Sequence, residues 1–188
     1  PKHEPMPLVK FTPSMEVTEV WSKGLSSAEG FLVPAVYDDM VFAAGGKTLT
    51  RLNARTGETE WSVSFNSPIT GGVGSDGYVT AVGLWDGNLE VVDAEGKVSW
   101  EKKLTTELAS PPVVSHGLVI ARTMDTRVSA FEASSGELQW TYQRSQPALT
   151  VRLPTRMLAH DNFLLVGQPN GHIVILDIAS GKPMFEFQ

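Results

Sequence analysis

Cysteine is absent from the 188 residues. Its absence excludes a disulfide framework, a thiolate zinc centre and a cysteine nucleophile, and leaves the redox compartment open. Long apolar runs are missing too: nothing approaches the roughly 18 residues that a membrane-spanning helix needs, and no charged-then-apolar opening reads as a signal peptide. Basic residues are scarce, with 15 Lys and Arg against 21 Asp and Glu, a net charge of −6 and a pI near 5.2. Proteins that grip phosphate backbones usually show a basic face, so nucleic acid is not an expected partner. What is present is a globular composition, 41% apolar with 17 Gly and 12 Pro, on a chain long enough to bury a core.

Internal periodicity organises the chain. The five Trp lie at 21, 61, 85, 100 and 140; without Trp85 the spacings are 40, 39 and 40, and a further 45 residues leads from Trp140 to Phe185. The text before each anchor recurs as Leu52-Asn53-Ala54-Arg55-Thr56-Gly57, Val92-Asp93-Ala94-Glu95-Gly96, Phe131-Glu132-Ala133-Ser134-Ser135-Gly136 and Leu176-Asp177-Ile178-Ala179-Ser180-Gly181. Repetition at this period is the mark of arrays built from one supersecondary unit.

Within residues 110–143 short apolar runs alternate with turn signals, giving four strands: PPVV, LVIAR, VSAFEA and ELQWTY. Comparable breaks at Ser75-Asp76-Gly77, Asp86-Gly87-Asn88, Pro169-Asn170-Gly171 and His160-Asp161-Asn162 supply residues that take the positive φ of a hairpin. No window shows a helical face. Four antiparallel strands repeating every 40 or so residues predict an all-β chain, a β-propeller whose small sheets each pack between two neighbours. The expected blades are 28–65, 68–104, 108–143 and 149–188, after a proline-rich extended lead-in over 1–16. Gly57, Gly96, Gly136 and Gly181 are expected to permit the turn into the last strand, and the Trp that follows to pack on the next blade.

Val17-Thr18-Glu19-Val20-Trp21 has the phase of a last strand and predicts the outer strand of a blade whose other strands lie elsewhere. With Pro1 in place of an initiator Met, the expectation is a processed or shortened chain that forms about half of an eight-bladed ring. Its two flanks would present unpaired blade faces that favour self-association.

The phrase Leu-Asn-Ala-x-Thr-Gly-x-x-x-Trp at 52–61 resembles the tryptophan-docking repeat of quinoprotein-type (PQQ-like) propellers. More narrowly, Gly45-Gly46, Trp85-Asp86-Gly87-Asn88-Leu89, Pro111-Pro112-Val113-Val114 and Pro147-Ala148-Leu149-Thr150-Val151-Arg152 together resemble the BamB family, lipoprotein subunits of the outer-membrane β-barrel assembly machinery. The resemblance implies an eight-bladed propeller at the periplasmic face of the outer membrane of a Gram-negative bacterium. It would touch the membrane only through a lipidated Cys that these residues do not include. It implies a non-catalytic scaffold without a cofactor, with the periplasmic POTRA domains of BamA as partner and nascent outer-membrane proteins as a further candidate. A Leu-x-aliphatic-Arg cluster among the family's BamA contacts maps onto Leu149, Val151 and Arg152, with Val151 where Leu would match better. The alternatives are a fragment of a PQQ-dependent dehydrogenase, which would need a calcium-bound quinone near the ring axis, and an extracytoplasmic sensor propeller.

The residues lend that cluster separate weight. The interval from Trp140 to Phe185 holds about five extra residues, placed in 144–156, and insertions between repeats are where function concentrates. The stretch RSQPALTVRLPTR contains Arg144, Arg152 and Arg156 and no acid, with Leu149, Val151 and Leu153 alternating with polar residues. It reads either as an aliphatic ridge beside positive charge or as the first strand of the fourth blade.

Other motifs resolve into turns. Gly72-Val73-Gly74-Ser75-Asp76-Gly77 satisfies GxGxxG, but a strand rather than a helix follows, so no dinucleotide site is expected. Gly46-Lys47-Thr48 lacks the leading Gly of a P-loop and reads as a hairpin. His3, His116, His160 and His172 are scattered without metal-ligand spacing, and Asp38, Asp39 and Asp161 lack a calcium-loop pattern. No catalytic or metal-ligating residue is assigned.

Overall fold

A computed structural model describes residues 14–26, 32–144, 155–168 and 171–188, and among these every regular element is a strand. Four four-stranded antiparallel meanders follow one another along the chain. The first holds β1 (Ala35–Tyr37), β2 (Met40–Gly45), β3 (Thr48–Asn53) and β4 (Thr59–Ser64); the second β5 (Ile69–Ser75), β6 (Thr80–Leu84), β7 (Asn88–Val92) and β8 (Val98–Lys103). The third holds β9 (Val113–Ser115), β10 (Leu118–Arg122), β11 (Val128–Glu132) and β12 (Leu138–Tyr142); the fourth β13 (Leu158–His160), β14 (Phe163–Gly167), β15 (Ile173–Asp177) and β16 (Pro183–Phe187). The first strand of each sheet packs on the next sheet's first strand, β1 on β5, β5 on β9 and β9 on β13. The sheets therefore stand side by side as propeller blades around a common inner edge, as the repeat predicts.

Each inner strand shares its alternate side chains between two cores. In the second blade Val82 and Leu84 join Phe42, Leu49, Phe65 and Ile69 between blades one and two, while Ala81, Leu89 and Val91 join Val119, Ala121 and Phe131 between blades two and three. Between blades three and four lie Ile120, Val128, Trp140, Leu164, Val174 and Leu176. Burial on both faces is why LVIAR reads as an unbroken apolar run and not as an alternation. The outer strands meet one neighbour only and keep the alternation, as in TEWSVS and VSWEKK.

The tryptophans close the blade contacts. Trp21, Trp61, Trp100 and Trp140 donate their indole N–H to the carbonyls of Ala54, Ala94, Ala133 and Ile178 in the following blade, at 2.8–3.0 Å. Those carbonyls lie in the recurrent turns. Asn53 Oδ1 accepts from the N–H groups of Arg55 and Thr56, Asp93 Oδ1 from those of Glu95 and Lys97, and Asp177 Oδ2 from that of Ser180. In all four sheets the pairing of third and fourth strands shifts register beside the anchor's partner residue, at Arg51/Leu52, Val91/Val92, Ala130/Phe131 and Ile175/Leu176. A bulge of this kind re-aims the outer side chain toward the next blade.

One expectation needs correction. Residues 17–21 do not form a strand: they run as irregular chain, with Val17 and Val20 largely exposed. A strand needs a ladder partner, and none stands beside them among the described residues. Trp21 alone keeps the blade role, because its indole still finds Ala54.

Candidate interaction surface

An antiparallel meander sends its turns alternately to two faces. The turns between first and second strands, and between third and fourth, share one face with Gly57, Gly96, Gly136 and Gly181. The turns between second and third strands share the other with every connection from one blade to the next. Gln143 and Arg144, which follow Tyr142, lie on this second face by topology.

That face is stitched by hydrogen bonds between turns and connections. Trp85 N donates to Pro68 O (2.8 Å), Leu104 N to Gly87 O (3.0 Å) and Met124 N to Glu107 O (3.0 Å). Lys103 Nζ donates to Asp86 O, Lys47 Nζ to Asn66 O and Gln143 Nε2 to Asp125 O. With its backbone held, this face presents Trp85, 62% exposed, and Met124, 38% exposed. Large apolar side chains on rigid turns are suited to protein contact. Trp85 stands outside the 40-residue period because it is a turn residue of this face and no blade anchor.

Leu149, Val151 and Arg152 lie within 145–154, outside the described residues. The residues on either side of that stretch are fastened. On the leading side the Arg144 guanidinium pairs with the Glu186 carboxylate of β16, which also meets His172 Nδ1 at 3.1 Å. The Arg144 contact, against the opposing effect of desolvation and with a further contribution from His172, holds the Glu186 carboxyl below its ordinary range. Arg144 is thus a neutralised cation, which removes one of the three positive charges expected of this stretch. Arg156 is exposed.

On the trailing side Met157 is buried between blades three and four, and Thr155 Oγ1 donates to Gly167 O at 2.9 Å. Arg122, only 4% exposed, adds Nη1 contacts to Thr155 Oγ1 (3.0 Å) and Gly167 O (2.7 Å), tying β10 to the fourth blade. Burial pulls the Arg122 guanidinium below its ordinary pKa. Sequence reasoning passed over Arg122, although an arginine closing the apolar run LVIAR is the signal that marks it.

The rejected motifs have structural occupations. Gly71 and Gly83 make room for Leu108, and Gly72 and Gly74 for Pro111 and Pro112, so the GxGxxG stretch is where the connection to blade three crosses the second blade's inner edge. Gly46-Lys47 is a hairpin turn, and Asp38, His116 and Asp161 are turn residues with positive φ. Among the described residues no three His, Cys, Asp or Glu side chains gather as metal ligands would.

Meandering four-stranded blades joined by an indole-to-turn dock define a quinoprotein-like β-propeller. A quinohemoprotein alcohol dehydrogenase from Pseudomonas putida HK5 shares this fold, with TM-score 0.69 and 19% identity over 87% of this chain and 35% of that one. The profile of the family described as outer membrane protein assembly factor BamB matches residues 45–186, and the chain belongs to that family. Outer membrane protein assembly factor BamB of Burkholderia pseudomallei is 36% identical over 97% of this chain and 49% of its own length. The crystal structure of BamB from Moraxella catarrhalis superposes with TM-score 0.73 and 28% identity, over 84% of this chain and 48% of that one. The chain spans about half the length of the curated relatives it matches.

Proposed function

We infer that this chain is a non-catalytic scaffold portion of an outer-membrane protein assembly factor, at the periplasmic face of the outer membrane. It would bind the periplasmic domains of BamA through Leu149, Val151 and Arg152 and the face that carries Trp85 and Met124. Family membership supports the assembly role, since the relatives are named for it. The observation that carries the partner reading is the fastening of the stretch that holds Leu149, Val151 and Arg152. Arg144 is tied to Glu186 before it and Thr155 to Arg122 and Gly167 after it, so both flanks of the sequence insertion are anchored. Anchored ends lower the ordering cost of binding.

The test is capture of BamA periplasmic domains by the folded chain carrying Leu149→Ala with Arg152→Glu. Each anchor is worth about 1–3 kcal/mol when central and desolvated, so capture should weaken at least tenfold. Equal capture by wild type and double variant, both with native circular dichroism, would remove these residues from the interface.

A further inference from the structure

Blades two and three meet at the Trp100 dock but part beside it. Between them lies a cleft of about 340 Å³ lined by Lys102, Leu104, Thr105, Arg127, Ser129, Phe131 and Thr141 among others, within the size range of small-molecule pockets. Its composition runs against that of the chain. No carboxylate lines it, in a protein with six more acids than bases. Lys102 and Lys103 line it from the end of β8 and Arg127 from the end of the β10–β11 turn, and the Lys103 ammonium is engaged with Asp86 O. Lys102 has no ion-pair partner among the described residues. Arg127 Nε is buried without a hydrogen-bond partner.

Asp125 attracts Arg127 from beside the cleft, but its oxygens accept from Thr123 Oγ1 (2.5 Å) and Thr105 Oγ1 (2.9 Å) and make no bond to the guanidinium. The comparable position two residues beyond the anchor is Val63 in blade one and Tyr142 in blade three, so a cation there is not a requirement of blade packing. A ligand oxygen on the terminal N–H groups of Arg127 would form a charge-assisted hydrogen bond.

We propose that this cleft is a binding site for a small carboxylate carried on an apolar group, its oxygens on Arg127, Lys102 and the Ser129 and Thr141 hydroxyls and its apolar part on Phe131 and Leu104. The apolar floor separates this ligand from a bare ion, and the fork of Arg127 suits a planar carboxylate. The proposal does not rest on BamA binding, although the cleft lies beside the β10–β11 turn that carries Met124.

The experiment follows thermal midpoint and amide chemical shifts of the chain with sodium 3-phenylpropionate, inorganic phosphate or sodium chloride at matched ionic strength. Phenylpropionate should raise the midpoint above the chloride control and shift resonances of β8 and β11. Arg127→Gln should weaken its apparent affinity about tenfold or more, and Lys102→Gln by a smaller factor. Lys102→Gln should also raise the midpoint without ligand, because it lowers the positive charge of a cleft that no carboxylate lines. Should Arg127→Gln fail to fold, Lys102→Gln alone decides the matter by these two opposite shifts. Phenylpropionate acting no differently from chloride, or equally on wild type and Lys102→Gln, would overturn the site. Phosphate acting while phenylpropionate does not would overturn the carboxylate and its apolar partner in favour of a bare anion site.

Discussion

The indole of Trp140 lies flat against Gly181 of the following blade, so close that a Cβ on that glycine would stand 2.4 Å from Trp140 Cε3. Gly181 also holds φ at +70°, a conformation that side chains resist. Backbone geometry and indole contact make one demand on the same position, and the turn carbonyl of Ile178 completes the dock at 3.0 Å from the indole nitrogen.

Gly181→Ala should therefore cost more than the ~1–2 kcal/mol of a left-handed alanine, because the indole must also leave its seat. Trp140→Ala should cost about 3–5 kcal/mol. In the Trp140→Ala background the glycine substitution should fall back to the backbone cost alone. A double-mutant cycle by denaturant unfolding measures this; simple additivity would separate the two residues.

Glu90 should make stability depend on pH. It is 8% exposed and directly opposite Glu101 across the β7–β8 pair, and burial, then the Glu101 charge and hydrogen bond, then Asp86, push its pKa up to about 7. From the first blade Arg51 offers no relief, since its Nε lies 2.5 Å from Glu60 and its Nη1 on Ala94 O. A carboxyl raised in the folded state gives its full contribution below its ordinary value near 4.5 and loses it as pH rises through about 7. Glu90→Gln should then stabilise by on the order of 1–3 kcal/mol at pH 8 and by little at pH 4.5. Thermal melts at the two values decide it, and an equal gain at both would show that ionisation is not the cause.

Arg122→Ala should destabilise by about 3 kcal/mol, since it strips Gly167 O and Thr155 of a buried charged donor. Amide exchange should quicken around Thr155 and Met157 before it does in the first two blades. Uniform quickening across all four blades would mean that Arg122 supports the whole array and not this junction.

Arg144→Gln should leave the thermal midpoint where it is. The ion pair with Glu186 is solvent-exposed, and such pairs contribute little. A clear drop would show that the leading side of the 145–154 stretch depends on this contact.

The blades were legible because the repeat writes itself in residues with one physical use each: a Trp about every 40 residues, an acidic or amide side chain just before the accepting turn carbonyl, a glycine at the turn. Local pattern stops at the blade boundary. Gly136 reads correctly as a turn residue, but its second duty, receiving Trp100 from the previous blade, is a contact across 36 residues that spacing does not reveal. Trp85 looked like a lapse in the period and is an exposed turn residue instead. The strand expected at 17–21 failed because alternation shows capacity to pair, while pairing needs a neighbour. Arg127 carries no sequence signal of its own, and only the cleft between two blades shows what it lines.

The indole dock has a direction: each sheet lends its ring forward and receives one from behind, and Phe185 of β16 is left 53% exposed, stacked on Phe187. Coupling of this sort joins nearest neighbours only, like beads on a wire. A lesion at one joint should therefore divide the array into two segments that melt separately, with the break located by which tryptophan's fluorescence changes first.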